Sequence, residues 1–538
     1  MELRIALSKF HLKTLLLCFL VMTTFGCASG EAQVIVITAT FPSDSGNIAG
    51  VTLDAPPVAA APTLAALFAA NNPTADPPRQ EAAESEEQYI VQPGDTLYGI
   101  ASAYGTSLDS ILAVNAFADP NALEVGQIIR LPEIPVNQTS DFKIIPDSRL
   151  VRAPGSQNFD IAGFIAQQPG FIRGATDEVG TNQANGEERK ETLSAAQIVE
   201  RVSLEFSVDA RLLLALLEYR ARWLSNSTLP TDKITHPMIS EEDSGQIDRA
   251  GLYKQLAWTA NMLNFGYYGW KTRGWTILEF EEGERVLYAP GLNAGTVGLH
   301  YFLSRNTAYT NWVTQIPVEG FYQTYYAYFG DPFLDAVEPL VPPEIEQPEI
   351  AFPFSAGETW FFTGGAHGGW GSGSAWAAID FAPPDIPQAG VACYTSEFWV
   401  TAVAAGFVTR SAGGAVVLDL DGDGDESTGW TILYLHISSD GRVLPATYVQ
   451  PGDRIGKASC EGGFSTATHM HLARRYNGEW MPAYCDACPA NAPRPQMILS
   501  GWAVVGYSNQ EYQGYMENNG ERRIAEQGRN TVENRVSW

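Results

Sequence analysis

Two histidines one residue apart, in Thr468-His469-Met470-His471-Leu472, open the search for chemistry in this chain. Alternate side chains of a strand share a face, so His469 and His471 point one way and Met470 and Leu472 the other. Two imidazoles on one face suit a metal ion; a pair of satisfied surface histidines is the bland alternative. Other residues strengthen the first reading. Gly364-Gly365-Ala366-His367-Gly368-Gly369-Trp370 is a glycine-rich loop, and thirteen residues after His367 a short strand, Ala377-Ala378-Ile379-Asp380-Phe381, ends in a carboxylate. Tyr434-Leu435-His436 ends another apolar strand.

Together these residues resemble the lysostaphin and staphylolysin class of zinc endopeptidases, in particular the staphylolysin and beta-lytic branch with its long gap between the first His and the Asp. In the lysostaphin branch a His stands four residues before the Asp, where this chain has Trp376. Residues 400–406 and 451–456 match the expected hairpin segments. Phe464-Ser465-Thr466-Ala467-Thr468 matches the approach to the histidine pair, with Ala467 where the family commonly has Gly. The resemblance implies an all-β antiparallel domain over residues 351–500. It implies Zn²⁺ held by His367, Asp380 and His471, with a fourth position open for water. His436 and His469 would then serve as general base and transition-state stabiliser. The implied substrate is a peptide cross-bridge of peptidoglycan, often at a glycine-containing bond.

Cys393, Cys460, Cys485 and Cys488 lie near these residues, and four cysteines allow three pairings. No second Cys pair completes a zinc site with Cys485-x-x-Cys488, so disulfides are expected in an exported chain. The staphylolysin resemblance implies Cys393–Cys460, which leaves Cys485 and Cys488 to pair locally. Asp419-Leu420-Asp421-Gly422-Asp423-Gly424-Asp425-Glu426 has the acidic alternation of calcium loops, yet no Glu closes it at the EF-hand spacing. It lies between two strands and reads as an acidic hairpin turn.

Something must bring such a site to its substrate. From Tyr89 the sequence gives a strand, a Pro93-Gly94-Asp95-Thr96 turn, a helix to about Tyr104, a second helix over 108–115, and a closing strand to Pro132. With Ile100, Ala101, Ile111, Asn115 and Val125-Gly126-Gln127 also in place, residues 88–133 resemble a LysM module. That implies a small α+β fold binding N-acetylglucosamine-containing glycans of peptidoglycan or chitin.

Residues 141–340 read as a mostly α-helical domain. Ser194 and Gln197 form a capping-box pattern, and helices are expected near 212–223, 252–264 and 294–304. The stretch from Val208 to Trp223 resembles the start of a soluble lytic transglycosylase, a lysozyme-like fold. Arg220 stands where that family has its catalytic Glu, and Ala221 where it has Ser. Glu218 lies two residues early, about 200° around a helix. Without a proton donor the glycosidic mechanism cannot run, so the domain is expected to be non-lytic. A Pro- and Glu-rich linker follows at 339–348, and 501–538 reads as a C-terminal extension.

The 538 residues exceed one hydrophobic core and make a multidomain chain. A net charge of −28 argues against nucleic acid, whose phosphates need clustered cations. Residues 1–27 read as a signal peptide: Arg4, Lys9 and Lys13 precede an apolar run too short to span a bilayer. Its end, Thr24-Phe25-Gly26-Cys27, resembles a lipobox, which implies a lipid anchor on Cys27 and a place in the cell envelope facing the wall. Residues 28–87, rich in Ala, Pro and Glu, form a spacer. The expected function is a wall-targeted zinc metalloendopeptidase; the alternative is a non-catalytic peptidoglycan-binding lipoprotein that regulates other hydrolases.

Overall fold

The computed structural model describes residues 88–91, 97, 100, 111–112, 114–117, 123–131, 137–488, 494–507, 510–529 and 532–538. The signal peptide, Cys27 and the spacer expected over 28–87 lie outside the described residues. No helix among the described residues is long and apolar enough to cross a membrane.

In the amino-terminal module β1 (Gln88–Ile90) pairs antiparallel with β2 (Ile128–Arg130), Tyr89 opposite Ile129. Val91, Ile129 and Leu131 bury against Leu97, Ile100 and Ile111 in a small core. Asn115 fixes the closing strand: its amide donates to the carbonyls of Ile111 and Arg130, and the Arg130 N–H donates back at 2.7 Å.

In the helical region, after short helical segments including Ile161–Ala166, a hairpin of β3 (Thr176–Asn182) and β4 (Glu188–Ser194) runs directly into α1 (Ala195–Phe206). Ser194 and Gln197 form the expected capping box, each satisfying an N–H of the other. Asp209 caps α2 (Ala210–Ala221), accepting from the Arg211 N–H at 2.8 Å. Glu218 on α2 accepts from the N–H groups of Leu224 and Ser225 and from the Ser225 hydroxyl, so its carboxylate closes the next turn. Arg220 lies over the Phe302 ring at 5.4 Å. The long α3 (Leu252–Thr272) crosses α4 (Ala294–Ser304) at close range. A Cβ at Gly298 would stand 2.8 Å from the Leu263 carbonyl, so only glycine admits that approach.

The carboxy-terminal region is a nine-stranded sheet. Its strands are β5 (Trp360–His367), β6 (Ala378–Ala382), β7 (Gly406–Ala412), β8 (Ala415–Asp419), β9 (Trp430–Leu435), β10 (Tyr448–Val449), β11 (Met470–Tyr476) and, far along the chain, β14 (Arg535–Val536). Before β14 come β12 (Trp502–Tyr507) and β13 (Gln510–Asn518), which pair in a second, four-stranded sheet. The order in the large sheet is β10-β7-β8-β9-β11-β6-β5-β14, with Glu479–Trp480 beside β11, and its pairs are antiparallel. Buried on one face are Trp360, Phe362, Phe381, Val416, Ile432, Tyr434 and Leu472.

Two boundaries differ from the sequence reading. The expected extension at 501–538 is part of the sheet structure: Arg535 pairs with Phe361, and Trp502, Val504, Met516 and Val536 enter the same core. Short strands broken by Gly and Asn gave no sustained alternation from which to read this. The expected linker at 339–348 is an ordered strap, with Leu340 fully buried and its carbonyl accepting from Asn477. Its prolines remove N–H donors, yet its carbonyls and side chains still find partners. Both expected disulfides, Cys393–Cys460 and Cys485–Cys488, are present.

Buried ion pairs join the helical region to the sheet. Glu479 accepts from Tyr267 at 2.8 Å, Lys271 at 2.9 Å and Arg494 at 2.9 Å, and Lys271 also reaches Asp147 at 2.7 Å. Burial alone would raise the Glu479 carboxyl, but Lys271 and Arg494 outweigh it and hold the group down at about 2. Arg410 and Arg475 likewise overcome burial and hold Glu426 at about 2. Both native values lie below the ordinary 4.5, so in acid the unfolded chain binds more protons. Their stabilisation is therefore complete above about pH 4.5 and lost as the pH falls towards about 2. Thermal melts across that window should show a progressively falling midpoint; a flat midpoint would refute the assignment.

Candidate metal centre

Three adjacent strands bring the carboxylate and two imidazoles together. Asp380 on β6 pairs in register with His471 on β11. On the other side β5 has register shifts between Phe362 and Gly364 and again between Gly364 and His367. These bulges re-aim the end of the strand so that His367 faces Asp380. Gly364 leaves the room: a Cβ there would stand 2.5 Å from Asp380 Oδ2. Gly364→Ala should displace the carboxylate and weaken metal binding by about 10–100-fold, the scale of a disturbed supporting shell. Titration of zinc against a competing chelator reads this directly, and unchanged affinity would refute it.

His367 Nε2 and His471 Nδ1 each lie 3.3 Å from Asp380 Oδ1 and 3.0 Å from each other. The far nitrogens are both tied to carbonyls, His367 Nδ1 to Gly365 at 2.8 Å and His471 Nε2 to Gly369 at 3.1 Å. A carbonyl only accepts, so the proton of each neutral ring sits on the far nitrogen and a bare lone pair faces inward. Two lone pairs and an anionic oxygen thus converge within 4.8 Å, and buried Asp380 Oδ1 accepts no well-aligned hydrogen bond. Left alone this arrangement is repulsive. It calls for one positive charge in the middle.

The titration directions agree. Burial, the largest influence, would raise Asp380, but His367 and His469 hold it well below its ordinary value. Burial also opposes charging His367, yet Asp380 wins and raises it. In the absence of a cation the carboxylate draws a proton onto that ring, and a metal would take the proton's place.

The other two histidines stand beside the cluster. His436 follows β9 in a left-handed conformation, φ 64°, and its Nδ1 donates to the Glu461 carbonyl at 3.2 Å. Burial first, then neighbouring His469 and His471, push its pKa well below the ordinary value, so its ring is neutral. His469 Nδ1 faces the Ala467 carbonyl at 2.8 Å and its Nε2 lies 3.7 Å from Asp380 Oδ1. The His436 and His469 ring centroids are 4.5 Å apart. All five residues singled out in the sequence are therefore brought together. Trp376 is elsewhere, packed at the core margin under Arg273.

Sequence reasoning missed Tyr512 and Glu511. The Tyr512 ring stacks on His367, centroids 4.3 Å apart, from a backbone at φ 66° that a bulky residue rarely adopts. Burial, Asp380 and Glu511 all push its phenol upward. Glu511 accepts from the Gly368 N–H at 3.0 Å and holds the loop beyond His367. Both lie on β13, within the stretch read as an extension, and no spacing pattern pointed to them. A second group, Asp419, Asp421 and Asp423, also gathers its carboxylates within 4.8 Å. It caps the loop between β8 and β9, where Asp419 accepts from Gly422 and Gly424 and Asp423 from Asp425. Burial, opposed in part by the Gly424 N–H, raises Asp419 to about 6.

Residues 143–343 match the LasA N-terminal domain, a similarity that the transglycosylase-like helix did not suggest. Residues 89–132 match the LysM domain. The chain is 26% identical to protease LasA of Pseudomonas aeruginosa over 253 residues, 43% of this chain and 56% of that protein. It therefore spans little more than half of that relative's length. Over 49 residues it is 43% identical to the N-acetylmuramoyl-L-alanine amidase XlyB of Bacillus subtilis, 9% of this chain and 16% of that one. Among solved structures, the M23 metalloprotease pseudoalterin is 27% identical, covering 34% of this chain and 96% of its own, at a TM-score of 0.26. The catalytic domain of lysostaphin from Staphylococcus simulans is 23% identical, covering 24% and 95%, at a TM-score of 0.17. The chain thus joins a region matching the LysM domain to one matching the LasA N-terminal domain, and it is similar to protease LasA.

Proposed function

We propose that this chain is a zinc metallopeptidase acting on the peptide cross-links of peptidoglycan, carried to its substrate by the LysM region and working at the cell wall. The observation that carries the reading is the inward convergence of His367 Nε2, His471 Nδ1 and Asp380 Oδ1, with the far nitrogen of each ring held by a backbone carbonyl. Two neutral nitrogens and one carboxylate oxygen form the donor set of a catalytic zinc site with a position left open. Zinc there would supply a Lewis acid that polarises a carbonyl and makes water acidic near neutral pH.

The chain's own residues do the rest. Gly365 and Gly369 fix the tautomers of the two ligand rings through their carbonyls. His436 and His469 each commit Nδ1 to a carbonyl, which leaves Nε2 of both rings free to take and return a proton. Neutral His436 is in the state a base requires. Once protonated, either ring can donate to the oxygen that gains charge as the peptide carbon becomes tetrahedral. Peptidoglycan as substrate class is supported by the LysM match and the similarity to protease LasA. Under the same reading Cys27 carries a lipid anchor.

Metal analysis of the purified chain, paired with digestion of peptidoglycan and separation of the products, tests this. One zinc per chain and newly freed amino groups from cross-bridges are expected. Stoichiometric zinc without product, or peptidoglycan binding without zinc, would favour the non-catalytic binding protein.

A further inference from the structure

The hairpin β3–β4 belongs to the helical region but touches the segment that holds His436. At its tip, Asn182 forms an isolated antiparallel bridge with Gly462: the Gly462 N–H donates to the Asn182 carbonyl at 3.0 Å. The Asn182 side-chain amide donates to the Gly463 carbonyl at 2.9 Å, and the Cys460 N–H to the Ala184 carbonyl at 3.3 Å. Gly186, at φ 81°, sits so close to Cys393 that a Cβ would lie 3.0 Å from Sγ.

The segment gripped in this way, 459–463, is bonded to His436 from two sides. Ser459 donates to the His436 carbonyl through its N–H at 2.7 Å and its hydroxyl at 3.0 Å. The Glu461 carbonyl accepts from His436 Nδ1. Ser459 also bridges to His469. His436 has a left-handed backbone, costly for a non-glycine residue, and such a conformation persists only where its surroundings over-determine it. Within the sheet domain, 459–463 is a loop pinned by the Cys393–Cys460 disulfide. The Glu461 carboxylate also holds it, accepting from the Ser439 N–H and from Arg442, and the hairpin adds a further non-covalent pin from the helical region, at residues 460, 462 and 463.

We infer that the β3–β4 hairpin is a positioning element for the peptidase site: by docking on 460–463 it sets the Glu461 carbonyl and so orients His436 with Nε2 towards the metal cluster. The inference rests on the peptidase reading and adds to it a role for the helical region. Metal binding does not depend on the hairpin, because His367, Asp380 and His471 sit on β5, β6 and β11 and bond to none of its residues.

Two variants of the full chain test this. Gly186→Val forces the tip away from Cys393, and replacement of residues 182–188 by Gly-Gly removes the tip, Asn182 and Ala184 included, without crowding the disulfide. Each is measured for zinc content, for kcat and KM on peptidoglycan fragments, and by nitrogen-15 histidine spectra of the seven imidazoles. The His436 signal is assigned by its loss in His436→Ala. Expected are unchanged zinc, kcat lower by about 10–100-fold with KM within about threefold, and a shifted His436 Nδ1–H signal. An unshifted signal with wild-type kcat in the shortened variant overturns the inference. So does a rise in activity, which would make the hairpin a plug. If the wild-type chain holds zinc but cleaves nothing, the peptidase reading fails, and the His436 signal alone still decides whether the hairpin orients that ring.

Discussion

His367→Ala should lose zinc and peptidase activity together. Among the described residues His367 provides one of three inward donors, and β6 and β11 contribute one each through Asp380 and His471. Removing it leaves two ligands, His471 and the Asp380 carboxylate, a larger insult than the loss of a hydrogen bond that orients a ligand, which costs about 10–100-fold in affinity. Trp376→His added to this variant should restore nothing. Residue 376 lies under Arg273 at the core margin, not in the cluster. The measurements are zinc per chain after gel filtration and hydrolysis of a glycine-rich peptide. A His367→Ala chain with stoichiometric zinc and full activity would refute the ligand assignment.

His436→Ala and His469→Ala should behave differently. Neither belongs to the group of three, so most of the zinc should remain while kcat falls by about 10²–10⁴-fold, the range for a positioned acid or base. The two changes should not multiply when combined, because residues acting on one proton path function as a unit. The outcome against this assignment is zinc loss equal to that of His367→Ala. Wild-type turnover in both single variants would refute it equally.

How readily each part could be read from the sequence follows from the period of the structure. His469 and His471 were legible because a strand repeats every two residues and two imidazoles in that phase share a face. Asp380 and His436 were legible as polar residues ending apolar runs. His367 was not readable from spacing: thirteen residues imply no geometry, and two bulges in β5 place it. A family resemblance supplied it. Tyr512 and Glu511 remained hidden because β13 carries no steady alternation and its importance comes from packing across sheets. The strap at 339–348 was misread for a related reason. Proline content reports missing donors, while the order of that segment comes from Leu340 and from Gln347, which bonds to the Ile498 carbonyl.

One feature of the large sheet bears on how the protein is made. β14 lies beside β5 although some 170 residues of chain separate them, and β5 carries His367. On a chain emerging amino end first, the strand bearing the first metal ligand keeps a bare edge until residues 535–536 arrive. Such an edge invites pairing with another chain. A ribosome that stops short of β14 would therefore release a product prone to aggregate.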